Sequence, residues 1–289
     1  MQKIKPYIKL MRPKHYLKNG LVLVPLFFSR CIFDRNLAIR ALLGFVSFSL
    51  MSSVVYIVND LNDMEADREN LQKRNRPLAS GAVKRYEAVI LAVIIFFASV
   101  AISYMAGHGM IWLILYLILN LAYSFKLKQI PILDVTILAL GYLIRLVYGA
   151  AITDTGLSFW ICMTALTFSF YMGLGKRRNE LNKLGENAPA ARTVLRSYNS
   201  AFLDKCMYVC MGLAIMFYAL WSGDSETVQT LETDLQMWTV PIVIILAMKY
   251  SLDIEKGGLG DPMEVIVSDK GLILIGIVYI IVISLILYV

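Results

Sequence analysis

Three aspartates stand in the stretch 59–80, NDLNDMEADRENLQKRNRPLAS, which follows a long apolar run. Asp60, Asp63 and Asp67 are spaced three and four apart, so on a helix turning about 100° per residue all three carboxylates share one face. Carboxylates gathered in this way repel one another unless they are protonated or bridged by a cation. With Asn59 beside them they form an oxygen-only donor set, which suits Mg2+ shared with a substrate's phosphates. Arg68, Lys73, Arg74 and Arg76 follow at once, placed to take phosphate oxygens that the metal leaves free. The competing reading is a polar loop with ordinary solvated charges. The leading Asn, the spacing and the basic tail weigh against it.

The strings NDLNDMEAD and KRNRPLASG resemble the first Asp-rich motif of the UbiA superfamily of intramembrane prenyltransferases. They are most similar to its phosphoribosyl-transferring branch, the decaprenyl-phosphate phosphoribosyltransferases. That resemblance implies a UbiA-like bundle, Mg2+ as cofactor and a place in cell-envelope biosynthesis. It also implies transfer of 5-phosphoribosyl from phosphoribosyl diphosphate to a polyprenyl phosphate, giving polyprenyl-phosphoryl-phosphoribose and pyrophosphate.

The elements that must position these groups are membrane-spanning. At 289 residues and 58% hydrophobic, with mean hydropathy +0.64, the chain is too apolar for a soluble domain of its size. The expected fold is all-α, a polytopic bundle of about nine helices at roughly 18–33, 37–58, 86–107, 109–125, 131–151, 157–175, 203–222, 236–252 and 270–289. Placing the N-terminus in the cytoplasm puts 23 of the 28 Lys and Arg in inner segments, and the long outer loop SGDSETVQTLETDLQ then has no basic residue. This orientation places the Asp cluster at the cytoplasmic face of the cell (inner) membrane. The net charge of +7 therefore fits anionic headgroups and an anionic substrate, and nucleic acid is not an expected partner. The four cysteines form no CxxC pair and read as small buried side chains. No small-residue cleavage site follows the first apolar run, so no cleaved signal peptide is expected.

Residues 1–19 carry six cations among regularly spaced apolar residues, the pattern of an amphipathic helix at the inner surface. MRPKHYLKN resembles the corresponding segment of the branch, with Arg12, Lys18 and Asn19 near the cavity mouth and Lys18 as a phosphate contact. The alternative for Lys18 is a headgroup-binding cation. AYSFKLKQIPILDVTILALGYLIRLVYGA resembles the branch as well and implies Tyr123, Lys128, Asp134 and Arg145 in the cavity wall; a buried hydrogen-bonded network is the alternative. A guanidinium inside a span costs about 2.5–3.5 kcal/mol on insertion scales, so Arg145 marks a cavity or a pathway.

Many UbiA members carry a second Asp-rich motif after the sixth span. This sequence departs from it with GKRRNEL, where Lys176, Arg177 and Arg178 precede Glu180. The string is similar to the phosphoribosyl branch, whose donor brings an additional 5-phosphate for cations to hold. One Mg2+ is thus expected, and a second would rest on Asp134 or Glu180. In the last inner loop Asp261 and Glu264 either cap the final helix or help to close the site, capping being favoured.

No repeat or linker is visible, so residues 1–289 read as one UbiA-like transmembrane domain. A phosphate monoester acceptor is already an anion and needs no strong base, and the sequence offers no convincing one. Two rival readings remain: a prenyltransferase acting on an aromatic acceptor, which should carry acids in place of KRRNE, and a transporter, whose ionisable groups should lie at mid-span.

Overall fold

A computed structural model describes residues 4–70, 73–184, 193–255, 265 and 268–289. Asp261 and Glu264 lie outside the described residues. Among the described residues every regular element is helical. In chain order the α-helices are α1 (Lys5–Met11), α2 (Val24–Phe28), α3 (Arg35–Asn62), α4 (Met64–Glu69), α5 (Arg85–Ala106) and α6 (Met110–Phe125). They continue with α7 (Leu133–Thr153), α8 (Phe159–Leu184), α9 (Ser200–Gly223), α10 (Ser225–Leu231), α11 (Val240–Glu255) and α12 (Lys270–Tyr288).

Among the described residues, six helical stretches are long and apolar enough to cross a membrane: α3, α5, α7, α9, Leu235–Glu255 (α11 with the turn before it) and α12. The chain is a multi-pass membrane protein. Exposed Ile, Leu, Val and Phe side chains along α5 and α12 supply the apolar surface that lipid requires. α6 is apolar but spans only 16 residues.

Two expectations change. The first expected span, 18–33, is not one α-helix: Pro13–Leu23 form a 3-10 segment and only Val24–Phe28 are α-helical. Pro13 starts the segment, and Pro25 then supplies no N–H to the ladder. α8 also runs past residue 175 to Leu184, so the cationic stretch is helix and not loop. Lys, Arg, Glu and Leu are good helix formers, and an Arg177–Glu180 pair three residues apart adds to them.

The chain divides into two compact units, one of residues 1–27, 31–127 and 144–156, the other of 28–30, 128–143 and 157–289. In the first, α3 is the central helix, and its small residues bring neighbours close. Ser47 and Ser99 each donate to the other's backbone carbonyl at 2.8 Å, joining α3 to α5 through groups that hydrocarbon could not satisfy. Gly44 leaves room for Ile152 and Tyr148, whose side chains a Cβ would meet at 2.0 and 3.3 Å. Gly149 does the same for the 3-10 segment, where a Cβ would fall 2.2 Å from the Val22 carbonyl oxygen.

In the second unit α8 and α9 pair over a core that includes Tyr171, Leu203, Met207, Tyr250 and Ile254. Lys249 of α11 holds both Asp253 (2.6 Å) and Asp269 (2.7 Å), and Asp269 caps the first turn of α12. One ammonium thus joins the last two helices.

The contact at Gly149 is with backbone, which cannot swing aside. Gly149→Ala is therefore expected to destabilise the detergent-solubilised protein by about 1–3 kcal/mol. A lowered thermal midpoint would show it, and an unchanged midpoint would contradict the close approach.

Candidate functional site

The site begins where α3 stops. Asp63 leaves the helical region (φ −95°, ψ 7°) and separates α3 from α4, so the three aspartates do not lie on one continuous helix. The ladder nevertheless crosses the break: Asp63 N–H donates to the Asn59 carbonyl (2.9 Å) and Asp67 N–H to the Asp63 carbonyl (2.8 Å). The result is a bend that keeps Asp60 and Asp67 facing the same point.

That point holds a cation. Arg76 Nη1 lies 3.1 Å from Asp60 Oδ1 and 2.6 Å from Asp67 Oδ2, so a single nitrogen joins both carboxylates. Arg12 Nη2 reaches the same Asp60 oxygen at 2.5 Å, and Lys73 Nζ stands 3.9 Å from Asp67. The carboxylates are 3% and 4% exposed, whereas the Arg12, Arg76 and Lys73 side chains are 23%, 30% and 44% exposed, so the acids form the floor and the cations the rim. Charge-assisted bonds of this kind make burial of the acids tolerable.

Local backbone chemistry aims Arg12. Pro13 disfavours a helical conformation in the residue before it, so α1 ends at Met11 and Arg12 turns into the left-handed region (φ 55°). The turn directs the guanidinium to Asp60, where it also lies 5.1 Å from the Tyr56 ring centroid.

Asn59 is fixed from α6. Ser124 Oγ lies against both Asn59 Oδ1 and the Asn120 carbonyl, the latter at 2.7 Å, yet a hydroxyl has one proton to donate. Both contacts are satisfied if Ser124 donates to Asn120 and the Asn59 amide is turned so that its NH2 donates to Ser124. The amide oxygen then faces away from Ser124.

A second polar group of this unit surrounds Arg145, whose residue is 5% exposed. Its Nε donates to Asn19 Oδ1 (2.8 Å) and its Nη2 to the Tyr116 hydroxyl (3.1 Å). The rings of Phe48 and Tyr116 lie 5.0 and 4.8 Å from the guanidinium carbon, giving cation–π contact in a desolvated setting. Asn19 is in turn held by Ser49 and Ser52, the Ser52 hydroxyl donating to its oxygen at 3.3 Å.

The other unit contains a different cluster. Arg177 is buried, with Nε 2.6 Å from Asp134 Oδ2 and Nη1 3.0 Å from Glu180. Tyr198 donates to Asp134 Oδ1 at 2.7 Å and accepts the Ile132 N–H at 2.6 Å. Ile132 has φ 68°, an unusual setting for a β-branched residue, and the phenol helps to hold it there. Burial first, and then the bond to Asp134, push the Tyr198 phenol up to about 12, so it remains a donor at any physiological pH. Arg178 pairs with Asp204 and, at 2.8 Å, with Glu255.

Of the residues singled out from sequence, the structure gathers Arg12, Asp60, Asp67, Lys73 and Arg76 in one place. Arg68 turns to the Ala79 carbonyl (3.2 Å), and Arg74 is exposed. Lys18, Asp63, Tyr123, Lys128 and Lys176 are half-buried. Asp134, Arg177 and Glu180 form one network and Arg178 another, all in the second unit. Among the described residues, no three His, Cys, Asp or Glu side chains gather to hold a metal ion. Two carboxylates gathered on one cationic nitrogen do fit a hard divalent ion as a donor pair. Phe48, Tyr116, Ser124, Tyr198, Asp204 and Glu255 were not picked out from sequence. The four-residue spacing of Tyr116, Asn120 and Ser124 on α6 was the signal available for two of them.

The sequence profile of the UbiA prenyltransferase family matches residues 22–231. The chain is 33% identical over 274 residues to the decaprenyl-phosphate phosphoribosyltransferase of Mycolicibacterium smegmatis, covering 91% of this chain and 86% of that one. It is 31% identical over 279 residues to the decaprenyl-phosphate phosphoribosyltransferase of Mycobacterium tuberculosis, covering 94% and 91%. Among solved structures, a UbiA homolog from Archaeoglobus fulgidus bound to GPP and Mg2+ superposes with a TM-score of 0.73 at 18% identity, covering 98% of this chain and all of that one. At that identity the likeness is one of fold.

The buried pair of Arg177 and Asp134 makes a separate prediction. Arg177→Met leaves a buried carboxylate without its guanidinium and is expected to cost about 3–5 kcal/mol, most of it regained in Asp134→Leu/Arg177→Met. Thermal midpoints in detergent measure both. A double variant that regains stability but not turnover would assign the pair to substrate.

Proposed function

We infer that this chain, which belongs to the UbiA prenyltransferase family, transfers 5-phosphoribosyl from phosphoribosyl diphosphate to a polyprenyl phosphate, releasing pyrophosphate. The observation that carries this reading is the length of the likeness. Identity above 30% to phosphoribosyltransferases runs over more than nine-tenths of the chain.

The bond that breaks joins ribose C1 to the diphosphate, and the bond that forms joins C1 to a phosphate oxygen of the lipid. Positive charge develops on the ribose ring as negative charge develops on the leaving diphosphate. Asp60 and Asp67, with Asn59 beside them in the chain, are the residues that would hold Mg2+. When bound, Mg2+ supplies neutralisation of the leaving diphosphate's charge.

The chain's own cations do the rest of that work. Arg12, Lys73 and Arg76 line the rim above the acids and bind phosphate oxygens, with Lys18, Arg68 and Arg74 nearby in sequence. Arg145, fixed by Asn19 and Tyr116, supplies a preorganised positive charge in a desolvated wall, where it acts without reorganising. Arg177, Arg178, Asp134 and Glu180 act as a brace that keeps the second unit's loops in place. No residue is needed to deprotonate the acceptor, which reacts as its anion. The acceptor's tail stays in lipid while its phosphate enters from the side.

The active face is cytoplasmic, at the cell membrane, where phosphoribosyl diphosphate is available. The positive-inside distribution supports this orientation. The stretch 18–33 is the first of nine crossings.

Detergent-solubilised protein given ribose-labelled phosphoribosyl diphosphate, a polyprenyl phosphate and Mg2+ should move the label into the organic phase and release pyrophosphate. Consumption of a prenyl diphosphate with no ribose label extracted would overturn the reading. Asp67→Asn is expected to lower turnover at least about 100-fold, in line with losing a principal electrostatic group, while the protein still elutes as one folded species. Turnover near wild type would remove Asp67 from the site.

A further inference from the structure

Asp60 and Asp67 already share a cation, and it belongs to the protein. Arg76 Nη1 lies within hydrogen-bond reach of both carboxylates, and Arg12 engages the same oxygen of Asp60. Counting Lys73, three cations face two anions. A divalent ion arriving alone would meet one oxygen of each carboxylate already engaged by a guanidinium and a rim already positive by one charge. Two more positive charges in a partly buried site repel the guanidiniums at short range, where screening is weak. A diphosphate removes both obstacles, because its oxygens accept the guanidiniums and its charge offsets that of the metal.

We propose that Arg76 is a resident counter-cation for the Asp60–Asp67 pair, displaced only when a diphosphate accepts its guanidinium, so that metal and diphosphate bind interdependently. The proposal rests on the reading of Asp60 and Asp67 as metal ligands. It assigns Arg76 two successive partners, the carboxylates before substrate arrives and the diphosphate afterwards. Its partial exposure, 30%, leaves the guanidinium at the rim within reach of an arriving diphosphate, while the metal takes over its charge at the acids. Arg12 is held by the Pro13 turn and by Tyr56, and keeps its contact to Asp60 in both states.

Equilibrium dialysis of the detergent-solubilised full chain against Mn2+ reads this out without turnover. A protein-free compartment reports the free ion and its soluble pyrophosphate complex. For the wild type, inorganic pyrophosphate should raise the apparent Mn2+ affinity by about tenfold or more, within the usual range of coupling between sites. Arg76→Gln should bind Mn2+ alone about tenfold more tightly than the wild type and lose most of the gain from pyrophosphate. Arg76→Lys, which keeps the charge without the fork, should fall between them and provides the comparison if Arg76→Gln does not fold.

Equal wild-type affinity with and without pyrophosphate, or Arg76 variants that match the wild type in both arms, would overturn the proposal. Asp60→Asn/Asp67→Asn separates this failure from that of the underlying reading. Loss of Mn2+ retention in every arm supports these acids as ligands even if coupling is absent, whereas retention at wild-type level removes the metal site and the proposal together.

Discussion

Two buried carboxylates at the end of a membrane-crossing helix are the constraint on which this structure turns. Hydrocarbon gives no help to an ionised acid, and water at the boundary gives only part of it. Asp60 and Asp67 therefore exist as a pair because guanidiniums from two other segments reach them. Those segments are fixed by that need. The turn at Arg12 brings the N-terminal helix to the end of α3, and the loop after α4 folds back so that Arg76 can reach both acids.

Arg145 poses the same problem deeper in the first unit and meets it differently. Two aromatic faces flank its guanidinium while Asn19 and Tyr116 take its donors, so the charge is held by dipoles and rings. The second unit encloses one ion pair, Arg177 with Asp134. Asp134, Arg177, Glu180 and Tyr198 satisfy one another and fix the backbone at Ile132, where an ordinary side chain would avoid a positive φ.

Much of this was legible in the sequence. Apolar runs located the long helices, and the expected bounds for α3, α5, α7, α9 and α12 differ from those observed by a few residues. The Asp cluster and its basic tail identified Asp60, Asp67, Lys73 and Arg76, because residue type and near spacing survive a local bend. The bend at Asp63 was not legible, since a three-and-four spacing fits one continuous helix equally well. Nor was the 3-10 geometry of Pro13–Leu23, which depends on the close approach that Gly149 allows. The partnership of Arg177 with Asp134 crosses 43 residues, and that of Arg12 with Asp60 crosses 48. Pairs so far apart are chosen by packing, and a sequence supplies the charges without saying which of them meet.

The most direct test is a crystal structure of the full chain grown with Mn2+ and a non-hydrolysable diphosphate analogue of the donor, with the anomalous signal of manganese used to place the ion. A peak within coordination distance of both Asp60 and Asp67, with the Arg76 guanidinium moved onto the diphosphate, is the predicted result. A peak elsewhere, or Arg76 still joining the two carboxylates with the analogue bound, would contradict the account.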